Sequence, residues 1–128
     1  MADGPIVLLV DDDPAMLKML EVNFRLSGFV VRTALRGDEA VDAAIADPPD
    51  ALVLDVMMPG LSGFDVARRI RQEPALADIP IVFLTAKSQD DDRAEGHAVG
   101  GTEFVTKPFD PAALVETVRR RLTRRAGP

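Results

Sequence analysis

The chain has 128 residues and a formal net charge of −6, from 15 Lys and Arg against 21 Asp and Glu, with one histidine and no cysteine. That length suits one compact domain whose core needs no disulfide or structural metal. The absence of cysteine excludes disulfide frameworks, thiolate zinc sites and cysteine nucleophiles, and a single histidine argues against a His-based metal site or a Ser-His-Asp triad. Net acidity opposes direct nucleic-acid binding, which rests on cations placed against phosphate. The local exception, Arg119, Arg120, Arg121, Arg124 and Arg125, reads as a solvated C-terminal helix end, where cations favour the helix dipole. Pro5 to Val10 is too short to cross a bilayer; it lacks a basic leader and runs into three aspartates, so it does not read as a signal peptide. A soluble cytoplasmic protein without membrane contact is expected.

Along the chain, short apolar runs alternate with amphipathic stretches. The first run, Ile6–Val10, is continuously apolar, as is Ala51–Leu54, the pattern of strands covered on both faces in a parallel sheet. Asp13-Pro14 opens the first helix as cap and first-turn proline; Leu17, Leu20 and Phe24 form its inner face, and Ser27-Gly28 ends it. A second strand is predicted over Phe29–Thr33. A second helix over Asp38–Ala46 carries Val41, Ala44 and Ile45 and stops before Pro48-Pro49. The third strand spans Ala51–Val56. Ser62 caps a third helix with Val66, Ala67 and Ile70 inward, and Ile81–Thr85 is the fourth strand. The fourth helix, about Asp90 to Ala98, is the weakest, with a thin apolar stripe and Gly96 in its interior. Glu103–Thr106 is the fifth strand. Asp110-Pro111 opens the fifth helix, striped by Leu114, Val115, Val118 and Leu122, and Thr123 to Pro128 reads as a tail. Five βα units in succession imply an α/β, doubly wound parallel sheet with right-handed crossovers.

In such sheets ligands bind at the carboxyl ends of the strands. Those ends carry Asp11, Asp12 and Asp13 after the first strand, Asp55 on the third, Thr85 on the fourth and Lys107 after the fifth. Taken singly, Asp11-Asp12-Asp13-Pro14 is an ordinary loop and helix cap, Lys107-Pro108 an exposed turn and Thr85-Ala86 a strand end. Asp55 is different, because an acid following Ala-Leu-Val-Leu in a buried strand needs a partner or a metal. Brought to one rim, the carboxylates call for a divalent cation, and an all-oxygen set with few protein donors suits Mg²⁺. A carboxylate can attack phosphorus to form an acyl phosphate, with metal and lysine neutralising the transferring group and a threonine hydroxyl bonding the product.

Four segments in this order carry a specific resemblance: Leu8-Leu-Val-Asp-Asp-Asp-Pro14, Leu52-Val-Leu-Asp-Val-Met-Met-Pro-Gly-Leu-Ser-Gly63, Val82-Phe-Leu-Thr-Ala86 and Phe104-Val-Thr-Lys-Pro-Phe109. Together they resemble the CheY-like receiver domains of two-component response regulators, over about residues 5–122, with 123–128 as tail or the start of a linker. The resemblance implies a five-stranded sheet of order 2-1-3-4-5. It implies Asp55 as phosphoacceptor, Asp12 as direct metal ligand, Asp11 acting largely through water and the Met57 carbonyl completing the protein ligands of Mg²⁺. Thr85 matches the switch hydroxyl, Lys107 the phosphoryl-binding lysine and Phe104 the switch aromatic; Ala86 and Pro108 flank them, with a cis Lys107-Pro108 bond. The implied partner is a sensor histidine kinase or phosphotransfer protein. Phosphorylation should draw in Thr85 and Lys107 and turn Phe104 inward, altering the face of the fourth helix, fifth strand and fifth helix, and the inward ring should be populated beforehand. The domain would catalyse only its own phosphorylation and dephosphorylation.

Departures fall outside the site. Gly100-Gly101-Thr102-Glu103 replaces the Gly-Ala-Asp-Asp common in DNA-binding members, and Ala113 and Thr117 stand where dimerising members often carry charge. Arg93 and Glu103 persist, so a homodimer through that face stays open. Three other readings compete with this one. A haloacid-dehalogenase-type phosphohydrolase would want a second acid where Met57 stands. A flavodoxin-like module would want a Ser/Thr/Gly-rich loop where the three aspartates stand. A receiver that never accepts phosphate would act as an interaction module alone.

Overall fold

The computed structural model describes residues 4–86, 90–100 and 102–126, apart from the side chains of 90–93, 125 and 126. Five parallel strands form one sheet in the order β2-β1-β3-β4-β5, with β1 at Ile6–Val10, β2 at Val30–Ala34, β3 at Ala51–Asp55, β4 at Ile81–Thr85 and β5 at Glu103–Thr106. The helices are α1 (Pro14–Leu26), α2 (Gly37–Ala46), α3 (Gly63–Ile70), α4 (Asp90–Ala98) and α5 (Pro111–Ala126). This is the doubly wound α/β sheet that the alternating runs predict.

The continuous apolar runs divide between two cores because successive strand side chains point to opposite faces. Val7 and Leu9 of β1, Val53 of β3, and Val82 and Leu84 of β4 pack with Leu17, Leu20 and Phe24 of α1 and Leu114, Val115 and Val118 of α5. Leu8, Val10, Leu52, Leu54, Ile81 and Phe83 face the other way, onto Ala40, Val41 and Ala44 of α2 and Phe64, Val66, Ala67 and Ile70 of α3. The central strands are therefore buried along their whole length, each leucine or isoleucine contributing about 1.5–3 kcal/mol. β5, an edge strand of four residues, is only half-buried throughout.

Local signals set the boundaries. Asp13 caps α1, accepting from the Ala15 and Met16 amides at 3.0 and 3.5 Å, with Pro14 at the first helical position. Ser62 and Asp65 form a reciprocal capping box on α3.

Four expectations need correction. β2 lies one residue later than Phe29–Thr33, because Phe29 closes the turn after α1 and packs edge-on against Phe24 at 5.0 Å. β3 ends at Asp55, since Val56 already begins the loop to α3. On α2, Ala40 takes the core position while Ile45 is 43 % exposed. Thr123 is no tail: α5 continues to Ala126, its last turns held by Thr123 Oγ1 donating to the Arg119 carbonyl. A short 3₁₀ turn, Pro74–Leu76, adds to the predicted elements and buries Leu76 between α3 and β4 in sequence. Among the described residues no helix is long and apolar enough to cross a membrane.

Candidate functional site

The strand order places the ends of β1 and β3 side by side, with β4 next and β5 beyond it. Asp11 follows β1 and is fully buried; Asp55 ends β3 at 5 % exposure and Thr85 ends β4 at 4 %, the three buried polar residues of the described core. Asp12 lies beside them but is exposed. Carboxylate oxygens of Asp11, Asp12 and Asp55 lie within 4.8 Å of one another, close enough to share one ion.

Lys107 closes the cluster from the far strand. Its ammonium is 3.4 Å from Asp11 Oδ2 and 3.3 Å from Asp55 Oδ1. The backbone route is short, since the Lys107 amide donates to the Thr85 carbonyl at 2.7 Å, fixing the β5 end against β4. The Lys107-Pro108 bond is cis and Pro108 is exposed, as is Ala86 beyond Thr85. Asp11 Oδ1 also accepts the Asp13 amide at 2.9 Å, so the buried carboxylate is held by its own loop. The Met57 side chain is 73 % exposed, and its amide donates to Asp55 Oδ1 at 3.4 Å.

The charges answer to this geometry. Burial, reinforced by the Asp11 carboxylate, pushes the Asp55 carboxyl up to about 6, against the opposing pull of Lys107 and the Met57 amide. Burial works against the charge of Lys107, but Asp55 and Asp11 outweigh it and hold the ammonium above the ordinary lysine value. A lone lysine bridging two of three acids leaves the site short of positive charge, and the donors are all oxygens with one face open at Asp12. That donor set fits a hard divalent cation such as Mg²⁺.

Phe104 lies on β5, two residues before the strand end at Thr106 and paired with Phe83 of β4. Its half-buried ring packs inward, 5.5 Å from Phe83 and edge-on to His97 at 5.2 Å, with Phe83 in turn 5.0 Å from Phe64. Gly96 lies directly against the ring, leaving no room for a Cβ. The glycine that weakens α4 on propensity alone is therefore the seat of the aromatic. Arg93 has no described side chain, and Gly101 lies outside the described residues. Arg121 binds Glu103 at 2.7 Å, and Arg119 donates to Glu116 and to the Ser27 carbonyl, so part of the C-terminal basic cluster is engaged within the chain.

Three residues escaped the sequence reading. Arg71 reaches from the end of α3 to the carbonyls of Leu76, Ala77 and Gly100, tying α3 to the end of α4. Gly37 and Gly63 each begin a helix with no room for a side chain. Gly63 carries a signal, since a glycine directly after the cap Ser62 is a poor helix former and calls for a steric reason; Gly37, just before the predicted helix start, carries none.

The family model of the response regulator receiver domain matches residues 7–119. The chain belongs to the response-regulator receiver domain family. It is 41 % identical over 124 residues to the phosphate regulon transcriptional regulatory protein PhoB of Rhizobium meliloti, covering 97 % of this chain and 54 % of that protein. The chain thus spans about half the length of the curated relatives it matches. A putative response regulator from Chloroflexus aurantiacus superposes with a TM-score of 0.89 at 37 % identity, covering 95 % of this chain and 100 % of that one. The receiver domain of the sensor histidine kinase PA1611 from Pseudomonas aeruginosa, solved with a magnesium ion in its active site cleft, gives 0.86 at 31 % identity, covering 93 % of this chain and 98 % of that one. The receiver domain is a signalling module of two-component systems, and the phosphohydrolase and flavodoxin-like readings are not favoured.

Proposed function

We propose that this chain is a single receiver domain, its core about residues 5–122, that accepts a phosphoryl group on Asp55 in a Mg²⁺-dependent reaction. The observation that carries the reading is the convergence of the Asp11, Asp12 and Asp55 carboxylates within 4.8 Å, with the Lys107 ammonium against two of them. Asp12, Asp55 and the Met57 carbonyl would hold the ion directly and Asp11 largely through water, where it supplies counter-charge to the phosphoryl oxygens.

The donor is a phosphohistidine of a sensor histidine kinase or a phosphotransfer protein. An Asp55 carboxylate oxygen attacks phosphorus, the P–N bond breaks, and its electron pair stays with the imidazole nitrogen, which takes up a proton from water. The product is an acyl phosphate. Attack of water on phosphorus breaks the new P–O bond, releases inorganic phosphate and a proton and restores the carboxylate, so the domain turns over only its own phosphoryl group.

Lys107 exchanges part of its pairing with Asp55 for the phosphoryl oxygens, and the Thr85 hydroxyl donates to another. Both interactions exist only in the modified state, which is what biases a two-state element. The element is the α4–β5–α5 face, built around Phe104 and the Glu103–Arg121 pair, which presents the output to a partner or to a second copy. Treatment with phosphoramidate and Mg²⁺ should add one phosphoryl mass to the protein, located at Asp55, and Asp55→Asn should add none. Wild-type labelling of Asp55→Asn would refute the assignment.

A further inference from the structure

The loop joining β3 to α3, residues 56–62, begins at Asp55 and contains Met57, so its path sets where a backbone carbonyl can meet the acidic cluster. It is closed on itself: the Gly63 amide donates to the Val56 carbonyl at 3.0 Å, and the Val56 amide donates to Leu84 of β4 at 2.9 Å. Gly60 makes the turn between these anchors with φ of +76°, a conformation glycine adopts freely. Two glycines from different helices press on the loop from outside. A Cβ at Gly63, the first residue of α3, would come within 2.5 Å of the Asp55 carbonyl oxygen and 3.1 Å of Asp55 C and Val56 Cα, all backbone atoms. A Cβ at Gly37, the first residue of α2, would meet Leu61 Cβ at 2.7 Å, the Leu61 carbonyl oxygen at 2.8 Å and Val66 Cγ2 at 2.9 Å.

Alanine would be the better helix former at both positions, so helix propensity does not account for these glycines. Their common property is close approach. Gly63 lets the start of α3 rest on the peptide group of Asp55; Gly37 lets the start of α2 hold the far end of the same loop at Leu61.

We infer that Gly37 and Gly63 are positioning residues for the metal and phosphoryl chemistry, clamping loop 56–62 so that the Met57 carbonyl and the Asp55 carboxylate face one ion. The inference rests on Asp55 and Met57 having the roles proposed above. Neither glycine touches the reacting atoms; each acts through the backbone it allows to approach. Gly63 dominates, because its three nearest atoms are backbone of Asp55 and Val56 themselves, whereas Gly37 meets Leu61, at the far end of the loop, and Val66 of α3.

The test uses the whole chain and compares wild type with Gly63→Ala, Gly37→Ala and Ile79→Val, the last removing a buried methyl group near the opposite rim of the sheet. Mg²⁺ affinity by calorimetric titration, phosphorylation rate with phosphoramidate and thermal midpoint are read together. Gly63→Ala should weaken Mg²⁺ binding by about tenfold or more, as loss of a supporting contact around a metal does. Its phosphorylation should slow by about tenfold to a hundredfold, as misplacement of reacting groups does. Gly37→Ala should show a smaller loss of the same kind, and Ile79→Val should lower the midpoint while leaving Mg²⁺ affinity unchanged.

If Gly63→Ala does not fold, Gly37→Ala decides. Folded glycine variants with wild-type Mg²⁺ affinity would overturn the inference, as would an equal loss in Ile79→Val, which would make the effect one of general stability. A wild-type protein that neither binds Mg²⁺ nor labels Asp55 would overturn the underlying reading instead, and the inference with it.

Discussion

The β1–β3 centre of the sheet and its β5 edge are built to different standards. Around β1 and β3 every strand position from Val7 to Val10 and from Ala51 to Asp55 is buried, helices cover both faces, and the carboxylates of Asp11 and Asp55 are held in a close-packed frame. Around β5 every strand position is only half-buried, and α4 above it rests on Phe104 through a glycine and on α3 through exposed polar contacts. Chemistry that needs a carboxylate, a metal and a lysine within a few ångströms belongs on the first kind of frame. A surface that must shift when a phosphoryl group arrives is drawn from the second, where opening costs less. Lys107 and Thr85 are the physical link, one reaching from the looser edge into the rigid cluster and the other ending the strand between them.

That contrast can be broken or sharpened by mutation. The largest effect belongs to the acidic rim: Asp12→Ala should abolish measurable Mg²⁺ binding by titration while leaving the fold intact, because Asp12 is exposed and supports no core contact. An unchanged affinity would remove Asp12 from the ligand set. Next is the rigid core. Phe83, fully buried between Phe64 and Phe104, should cost about 3–5 kcal/mol when cut to alanine, read by denaturant unfolding.

On the looser side, Gly96→Ala should cost about 1–3 kcal/mol, the range for overpacking, despite alanine's better helix propensity. It should also change the chemical shifts of the Phe104 ring; a stabilised variant with unmoved ring signals would mean that α4 does not bear on Phe104.

A smaller effect follows from the charge of Asp55. Its folded pKa of about 6 is raised from an ordinary 3.8, so the folded state holds the proton more tightly than the unfolded chain. Ionising Asp55 therefore costs stability, absent below about pH 4, growing between there and pH 6 and complete above. Without Mg²⁺, Asp55→Asn should be more stable than wild type at pH 7, on the order of 1 kcal/mol, with the gain vanishing toward pH 4. A gain that grows toward acid would show that Lys107 outweighs burial. Smallest is the exposed Arg68–Glu95 bridge between α3 and α4, where Arg68→Ala should cost about 1 kcal/mol or less in thermal unfolding, and less still in high salt.

Much of this could be read from the chain because the signals are local. Uninterrupted apolar runs such as Ile6–Val10 mark a two-sided sheet, Asp13-Pro14 and Ser62 with Asp65 mark helix starts, and an acid after Ala51-Leu-Val-Leu54 marks itself as out of place. Each depends on residues within a turn or a strand of one another. The readings that needed correction are those where a residue's partner is distant in sequence. Phe29 leaves β2 because Phe24 and the turn claim it, and Ile45 stays exposed because the face of α2 turned to the core runs through Gly37, Ala40, Val41 and Ala44. Gly96 looks like a defect until Phe104 is placed against it, and nothing near Gly37 announces that Leu61 will press on it.

By itself the sequence determined the order of elements and the identity of the polar residues at the strand ends, since periodicity and capping act over a few residues. Only the tertiary structure decided that Asp11, Asp12 and Asp55 share a space 4.8 Å across and that Lys107, 96 residues from Asp11, reaches into it. The reason is steric as much as electrostatic. Close packing of two cores on one sheet fixes where each strand ends and how near each loop can come, and those distances, not the residue types, set which charges meet.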